Sequence, residues 1–194
     1  MLAIAAAWLQ ALAPDQEILL GVGVSSPVVA ADWHGAGYPA RPLARMREFI
    51  AVLRQCLSGG PVTFAGEYYQ VRGFRLGVEL GDRRPQIIVG ALGEQMLRLA
   101  GAEADGVLLN YLPASHVPWC VQQVRRGGHA TIYAHIHVGV GDRAAAAPQA
   151  ATTCSPTPSS TPTPPASPGP GSVLPWRPSG PRTGPETGPA PWPR

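Results

Sequence analysis

One segment near the middle of the chain restricts the possible folds more than any other. Residues 86–96 begin with Gln and then Ile, Ile and Val, a continuous apolar run that is typical of a parallel strand covered on both faces. Gly90 and Gly93 follow, and glycine lets the backbone approach a neighbour or a ligand closely. The pattern then becomes helical, and free N–H groups at the start of a helix can bind a phosphate. A tight strand-to-helix turn would need the same glycines, so this segment alone leaves both interpretations open.

Predicted helices and strands alternate along the chain up to residue 140. We predict helices over residues 3–12, 41–57, 94–103 and 115–126, the last capped by Ser115, and a loop or short helix over 28–38. We predict strands over residues 17–24, 86–89, 107–112 and 131–140, the first two of them buried, and a short β-hairpin within 62–71. Strands separated by helices indicate right-handed βαβ units and a parallel sheet. The fold class is therefore α/β, and four strands suit either a small open sheet or half of an eight-stranded barrel.

The composition changes abruptly after residue 147. Residues 148–194 contain 15 of the 23 prolines and almost no aliphatic side chains, so they cannot bury enough apolar surface to offset their ordering entropy. We expect a globular domain over 1–147 and a disordered tail rich in Pro, Ser, Thr and Gly over 148–194. A GC-rich gene read out of frame would produce such a tail, so we expect a frameshift near residue 147, with a genuine disordered segment as the alternative.

Charge and cysteine spacing exclude several classes of protein. The formal charge of +3 is divided between the domain and the tail, and no basic stripe with interleaved aromatic residues indicates nucleic-acid binding. Cys56, Cys120 and Cys154 are widely spaced, which indicates neither a disulfide framework nor a metal site. No segment reaches the roughly 18 apolar residues of a membrane span. We therefore expect a cytoplasmic protein with reduced thiols. An exported protein with a Pro-rich spacer is a remote alternative, because residues 1–13 carry no Lys or Arg.

Five blocks of the sequence carry a family resemblance. They are LGVGVSSPV at 20–28 with WHG at 33–35, RPLARMREF at 41–49, PVTFAGEYY at 61–69, GALGEQMLRLAG at 90–101 and ADGV at 104–107. In this order they resemble the luciferase-like monooxygenase superfamily. The branch they resemble most is that of the oxidoreductases that use the deazaflavin coenzyme F-420.

The resemblance implies a partial TIM-type (β/α)8 barrel that binds coenzyme F-420 or FMN at the carboxyl ends of its strands. The cofactor would transfer hydride to or from a small organic substrate, or activate oxygen in the flavin branch. By this resemblance the cofactor phosphate lies on the backbone of Gly90, Ala91, Leu92 and Gly93, and the ring or its ribityl chain lies beside Gly23, Ser25 and Ser26. Trp33 and His34 line the mouth of the site, and Asn110 is a further candidate for the substrate pocket.

The chain also departs from the family pattern. The first three strands and the strand that closes the barrel have no counterpart in the sequence, so we expect an incomplete barrel that is unstable alone and at best weakly active. An unclosed parallel sheet has two unpaired edges, and we expect these edges to favour self-association. A non-catalytic α/β binding or assembly module is the main alternative function.

Overall fold

The structure is a computed structural model that describes residues 1–136, 138 and 140–142. The predicted tail over 148–194, the expected frameshift near residue 147 and Cys154 lie outside the described residues. No helix within the described part is long and apolar enough to cross a membrane.

Helices and strands alternate as the sequence predicts, and the α/β fold class is confirmed. The helices are α1 (Leu2–Leu12), α2 (Pro42–Cys56), α3 (Glu94–Glu103) and α4 (Val117–Gly127), with a π-helical turn at Val29–Trp33 and a 3-10 turn at Ala114–His116. The strands are β1 (Leu19–Val22), β2 (Val62–Ala65), β3 (Gln70–Phe74), β4 (Gln86–Gly90), β5 (Gly106–Leu109) and β6 (Thr131–Ala134).

Four of the strands form one parallel sheet in the order β1-β4-β5-β6, the arrangement expected of part of a barrel. The central strand β4 carries Ile87, Ile88 and Val89, which are all buried because strands pair on both of its sides and the core lies against it. The antiparallel pair β2–β3 is the predicted hairpin and forms a separate small sheet. The middle segment identified from the sequence is therefore the centre of the fold.

Strand β1 differs from the prediction of a buried strand. It pairs only with β4 within the described part of the chain, so it forms one edge of the sheet. Leu19 is 45% exposed, and Leu20 and Val22 are half-buried. An apolar run indicates that a strand is covered, but it does not say whether a neighbouring strand is present.

The end of the described domain differs in two further places. Strand β6 ends at Ala134 instead of residue 140, and Ile136 and Val138 are 75% and 78% exposed, so the alternating pattern continues past the last pairing with β5. Ser115 does not cap α4: it lies within the 3-10 turn, and α4 begins at Val117 with no side-chain cap. Pro118 in the first turn of α4 is tolerated there, because the proline lacks an N–H that would have no helical partner.

The hairpin is attached to α2 by one carboxylate. Glu48 accepts hydrogen bonds from the backbone N–H groups of Glu67, Tyr68 and Tyr69 at 3.0, 2.8 and 2.6 Å. These N–H groups lie in the turn between β2 and β3, where no strand partner is available to them. This contact places the hairpin beside the first half of α2, close to the carboxyl end of β1.

Candidate functional site

The strand register brings the predicted site residues of separate segments to one edge of the sheet. Val22 pairs with Val89, so Gly23 and Gly90 follow side by side at the carboxyl ends of β1 and β4. Leu109 pairs with Ala134, so Asn110 and His135 are neighbours after β5 and β6. In open parallel sheets, ligands bind at this carboxyl edge.

The turn from β4 to α3 has an open and uncapped helix start. Gly93 is the N-cap of α3, in an extended conformation with φ −85° and ψ 147°, and no side chain caps the helix. A Cβ at Gly93 would meet nothing within 4 Å. Since the first N–H groups of a helix lack intrahelical acceptors, those of the first turn of α3 can donate hydrogen bonds to an oxyanion in the space beside Gly93.

The other residues of the predicted phosphate site, Gly90, Ala91 and Leu92, differ in their surroundings and in the partners of their backbone groups. The N–H of Ala91 donates to the carbonyl oxygen of Leu108 at 3.2 Å, and its side chain is buried, so its N–H already has a partner within the sheet. Leu92 is 46% exposed at the same turn. A Cβ at Gly90 would lie 3.7 Å from the carbonyl oxygen of Val22, an ordinary contact. Of the four predicted residues, Gly93 is the one that lies at the uncapped start of α3.

Two residues beyond strand ends have a left-handed backbone that non-glycine residues rarely adopt. Ser25, which follows β1, has φ +61°, and Tyr111, which follows β5, has φ +52°. Such strain is concentrated at functional sites in proteins. The neighbouring Ser26 has a local role, because its Oγ accepts a hydrogen bond at 3.3 Å from the N–H of Val29, the first residue of the π-helical turn.

Trp33 and His34 lie at the end of that π-helical turn. Trp33 is 68% exposed and His34 is also exposed. Their place at the mouth of the site stays a prediction.

A cavity of about 570 Å³ opens at the carboxyl ends of β5 and β6. Its lining is mainly aliphatic, and the polar contribution comes from Tyr111 and His135. Nδ1 of His135 lies 2.7 Å from Oδ1 of Asn110, and the rings of His135 and Tyr111 are 5.5 Å apart. An amide oxygen only accepts hydrogen bonds, so this contact favours the imidazole tautomer that carries its proton on Nδ1.

A second cavity, of about 280 Å³, lies at the carboxyl end of β1. Gly23 and Val24 form one wall, and Arg45, Phe49 and Tyr69 from α2 and the hairpin form the other. The two cavities lie at opposite ends of the sheet's carboxyl edge, and the turn from β4 to α3 lies between them in the strand order. Among the described residues no cluster of three or more His, Cys, Asp or Glu side chains is placed to hold a metal ion.

The sequence interpretation missed His135, Tyr111 and Arg45. His135 lies inside the strand predicted to run to residue 140, and the helix predicted over residues 41–57, which contains Arg45, carried no candidate site residue. A left-handed residue such as Tyr111 has no local signal, because tyrosine favours strands. The useful signal is a polar residue directly after a parallel strand, because ligands bind at the carboxyl ends of such strands. This rule points to Asn110 after β5. It would also point to His135 if the last strand were predicted to end at Ala134.

Comparisons with known proteins show the family of this chain. The family model for luciferase-like monooxygenases matches residues 1–172. The chain is 36% identical over 102 residues to a 5,10-methylenetetrahydromethanopterin reductase of Archaeoglobus fulgidus, covering 50% of this chain and 27% of that protein. It is 30% identical over 94 residues to an F-420-dependent glucose-6-phosphate dehydrogenase of Mycobacterium tuberculosis, covering 47% of this chain and 28% of that protein. The alignments thus span about a quarter of the length of these relatives.

Solved structures share the fold. An F-420-dependent secondary alcohol dehydrogenase in complex with an F-420–acetone adduct superposes with a TM-score of 0.55 at 21% identity, over 66% of this chain and 40% of that chain. The EDTA monooxygenase of Chelativorans sp. BNC1 superposes with a TM-score of 0.56 at 18% identity, over 78% of this chain and 42% of that chain. At these identities the likeness concerns the fold.

Proposed function

Because this chain belongs to the luciferase-like monooxygenase family, we propose that it is an oxidoreductase that binds a flavin or deazaflavin coenzyme at the carboxyl edge of its parallel sheet. Coenzyme F-420 and FMN are the two candidates, and each would supply hydride-transfer chemistry with a small organic substrate, with oxygen activation added in the case of FMN. The relatives whose names state a dependence on coenzyme F-420 favour the deazaflavin. Among the described residues, Cys56 and Cys120 are free and buried, which is consistent with a reducing, cytoplasmic location.

The observation that carries the proposal is the open start of α3 beside the end of β1. Gly93 leaves space where an N-cap side chain would normally accept the first N–H groups of the helix. A phosphate oxygen can accept those hydrogen bonds, and the positive end of the helix dipole favours its charge. The carboxylate of Glu94 is held by the guanidinium of Arg98 one turn along, which reduces its repulsion of a phosphate.

The residues around this turn would orient the rest of the coenzyme. Gly23 lies next to Gly90 across the β1–β4 pair, and neither has a side chain to obstruct a planar ring. The left-handed backbone at Ser25 lies three residues after the end of β1. The apolar cavity between the ends of β5 and β6 would hold the substrate and exclude water from it, with Asn110 and His135 as its polar group.

The test compares FMN with riboflavin, which lacks the phosphate, and uses the substitution Gly93→Asp. The extended backbone and open space at Gly93 accept an aspartate, which would cap α3 itself and repel a phosphate. We expect the wild-type chain to bind FMN more tightly than riboflavin, measured by quenching of flavin fluorescence. In Gly93→Asp we expect FMN affinity to fall by about ten-fold or more, the loss of about 1.4 kcal/mol or more, with riboflavin affinity unchanged.

Gly81→Asp is the matched control, because Gly81 is exposed, has no crowding at its Cβ position and lies before the amino end of β4. It should bind both flavins as the wild type does. The thermal unfolding midpoint of Gly93→Asp should be equal to or above that of the wild type, since an N-cap aspartate stabilises a helix. Equal FMN affinity in Gly93→Asp and wild type would contradict the proposed phosphate site, and the same pair can be measured with coenzyme F-420.

A further inference from the structure

Arg45 differs from the other arginines at the start of α2 and along it. Arg41, Arg47 and Arg54 each form an ion pair, with Glu67, Glu103 and Asp105 at 3.0, 2.8 and 2.9 Å. Arg45 is half-buried in the cavity of about 280 Å³ beside Gly23, and no carboxylate among the described residues lies within ion-pair distance of it. A half-buried guanidinium without a counter-charge is costly unless a ligand supplies one.

The nearby acids are already engaged. Glu48, three residues along the same helix, accepts hydrogen bonds from three backbone N–H groups of the hairpin turn. Glu67 of that turn is paired with Arg41. No ion pair therefore neutralises the positive charge of Arg45 within the described part of the protein, although Glu48 lies three residues away on the same helix.

One edge of the Arg45 guanidinium is held in place by a hydrogen bond, and the other edge is available to bind a ligand. Nε of Arg45 donates to the hydroxyl of Tyr69 at 3.0 Å, and its carbon atom lies 5.7 Å from the centre of the Tyr69 ring. The terminal nitrogens have no hydrogen-bond acceptor among the described residues. The side of a guanidinium that carries its two terminal nitrogens binds a carboxylate or phosphate through two parallel hydrogen bonds. The first turn of α2, which has no side-chain cap, adds the positive end of its dipole.

We propose that Arg45, positioned by Tyr69, binds an oxyanion group of a ligand in the cavity beside Gly23, separately from the phosphate at the start of α3. The ligand combines this carboxylate or phosphate with an apolar part, because Met46 and Phe49 line the same cavity. This inference rests on the proposed function only where it identifies the ligand as a coenzyme or a substrate. The anion site itself can be tested without any coenzyme.

The test titrates the protein with benzoate and, separately, with inorganic phosphate, and follows the Nε–H resonance of Arg45 by ¹⁵N NMR. We expect saturable shifts of this resonance with both anions. Arg45→Met should weaken binding by about ten-fold or more, because charge-assisted bidentate contacts are lost. Arg47→Met is the matched control on the same helix, and it should leave the affinity within about two-fold, since Arg47 is exposed and paired with Glu103.

Two further variants separate anion binding from a role in holding the hairpin. Arg45→Lys keeps the charge but not the paired nitrogens, so we expect an intermediate loss of affinity with an unchanged unfolding midpoint. Tyr69→Phe removes the hydroxyl that holds Nε, and we expect it to weaken anion binding by about three-fold to ten-fold. Equal binding of both anions by wild type and Arg45→Met, or an Arg45 Nε–H resonance that does not respond to saturating benzoate, would overturn the proposal.

Binding measurements with FMN and riboflavin show whether the oxyanion at Arg45 belongs to the coenzyme or to the substrate. If it belongs to the coenzyme, Arg45→Met lowers the affinity for FMN and spares that for riboflavin. If it belongs to the substrate, Arg45→Met spares both flavins and weakens benzoate binding to the protein saturated with FMN. Either result supports an oxyanion site at Arg45. Failure of the chain to bind either flavin, with benzoate still shifting Arg45, would contradict the proposed function and leave this inference standing.

Discussion

At the scale of single residues, a few side chains hold backbone groups that secondary structure leaves unpaired. Glu48 is the clearest case, because its carboxylate accepts the N–H groups of three consecutive residues in the β2–β3 turn. Asp105 acts similarly between strands: its Oδ2 accepts the N–H of Ile87 at 2.7 Å and its Oδ1 accepts from Arg54. Hydrogen bonds to charged groups stabilise more than neutral ones. Hydrophobic periodicity does not predict such residues, since their hydrogen-bond partners are distant in sequence.

We expect Glu48→Ala to lower the free energy of unfolding by about 2 kcal/mol, because three backbone donors of the turn lose a charged acceptor. Urea unfolding followed by circular dichroism measures this. Glu79→Ala is the matched control: Glu79 is exposed, and surface substitutions of this kind usually change stability by less than about 0.5 kcal/mol. Equal stability of the two variants would contradict the role assigned to Glu48.

The buried thiols make alkaline stability pH-dependent. Burial raises the pKa of the Cys120 thiol and, offset in part by the N-terminal charge, that of Cys56. When the pKa of a thiol is higher in the folded than in the unfolded state, the resulting stabilisation is fully present below the unfolded-state pKa. It is lost as the pH rises from the unfolded-state pKa through the folded-state pKa. We expect the free energy of unfolding to decrease as the pH rises above about 8.5, the usual pKa of a thiol, and Cys120→Ala to show a shallower decrease. A parallel pH dependence in wild type and Cys120→Ala would contradict this account.

At the scale of elements, α3 and α4 pack so closely that glycine is required between them. A Cβ at Gly101 would lie 2.2 Å from the carbonyl oxygen of Val124, and a Cβ at Gly127 would lie 2.0 Å from that of Arg98. Both obstacles are helix backbone, which cannot move without moving the helix. Arg98 also donates to the buried Gln123 across the same contact, at 2.9 and 3.1 Å. This packing positions the start of α3, and with it the phosphate site we propose.

We therefore expect Gly101→Ala to lower the free energy of unfolding by about 2 kcal/mol or more, because the added methyl group must separate two helices. In an isolated helix the same substitution would stabilise by up to about 1 kcal/mol, so the sign of the change tests the packing. Thermal or urea unfolding provides the measurement. Gly81→Ala serves as the control, since an added Cβ there meets nothing within 4 Å, and it should be neutral or slightly stabilising.

At the scale of the whole molecule, the described sheet presents apolar edges and surfaces. Within the described part of the chain, β1 pairs only with β4 and β6 only with β5. Leu19 on β1 is 45% exposed, and Leu9 and Leu12 on α1 are 56% and 76% exposed. Unpaired apolar edges favour association with other chains. Self-association, low stability of the chain alone and the alternative of a non-catalytic assembly module all remain predictions.

We expect the purified chain to self-associate at micromolar concentrations, and Leu19→Lys to reduce that association, because a charge on an edge strand opposes further pairing. Sedimentation velocity of both proteins over a concentration series provides the test. Leu19→Lys should leave the free energy of unfolding within about 0.5 kcal/mol, since Leu19 is largely exposed. A wild-type chain that stays monomeric and melts cooperatively would contradict these predictions, and a discrete dimer that binds no flavin would favour the assembly module.

Much of the fold could be predicted, and less of the site. The buried strand β4, its glycine turn and helix α3 were recognisable because an apolar run, glycines and a helical pattern occur within eleven residues of one another. The partial exposure of β1 could not be read from its apolar run, since the burial of a strand depends on whether a further strand lies beside it. The end of β6 at Ala134 was missed because alternation continues into residues that pair with nothing described.

The sequence by itself determined the order of helices and strands, the parallel sheet and the family, because periodicity, turn residues and motif blocks are local properties of the chain. Only the tertiary structure decided which distant residues meet. Pairing of β1 with β4 places Gly23 beside Gly90, pairing of β5 with β6 places Asn110 beside His135, and docking of the hairpin on α2 places the Tyr69 hydroxyl against Arg45. These contacts join residues more than twenty positions apart, and strand register and helix packing set them rather than any pattern within one segment.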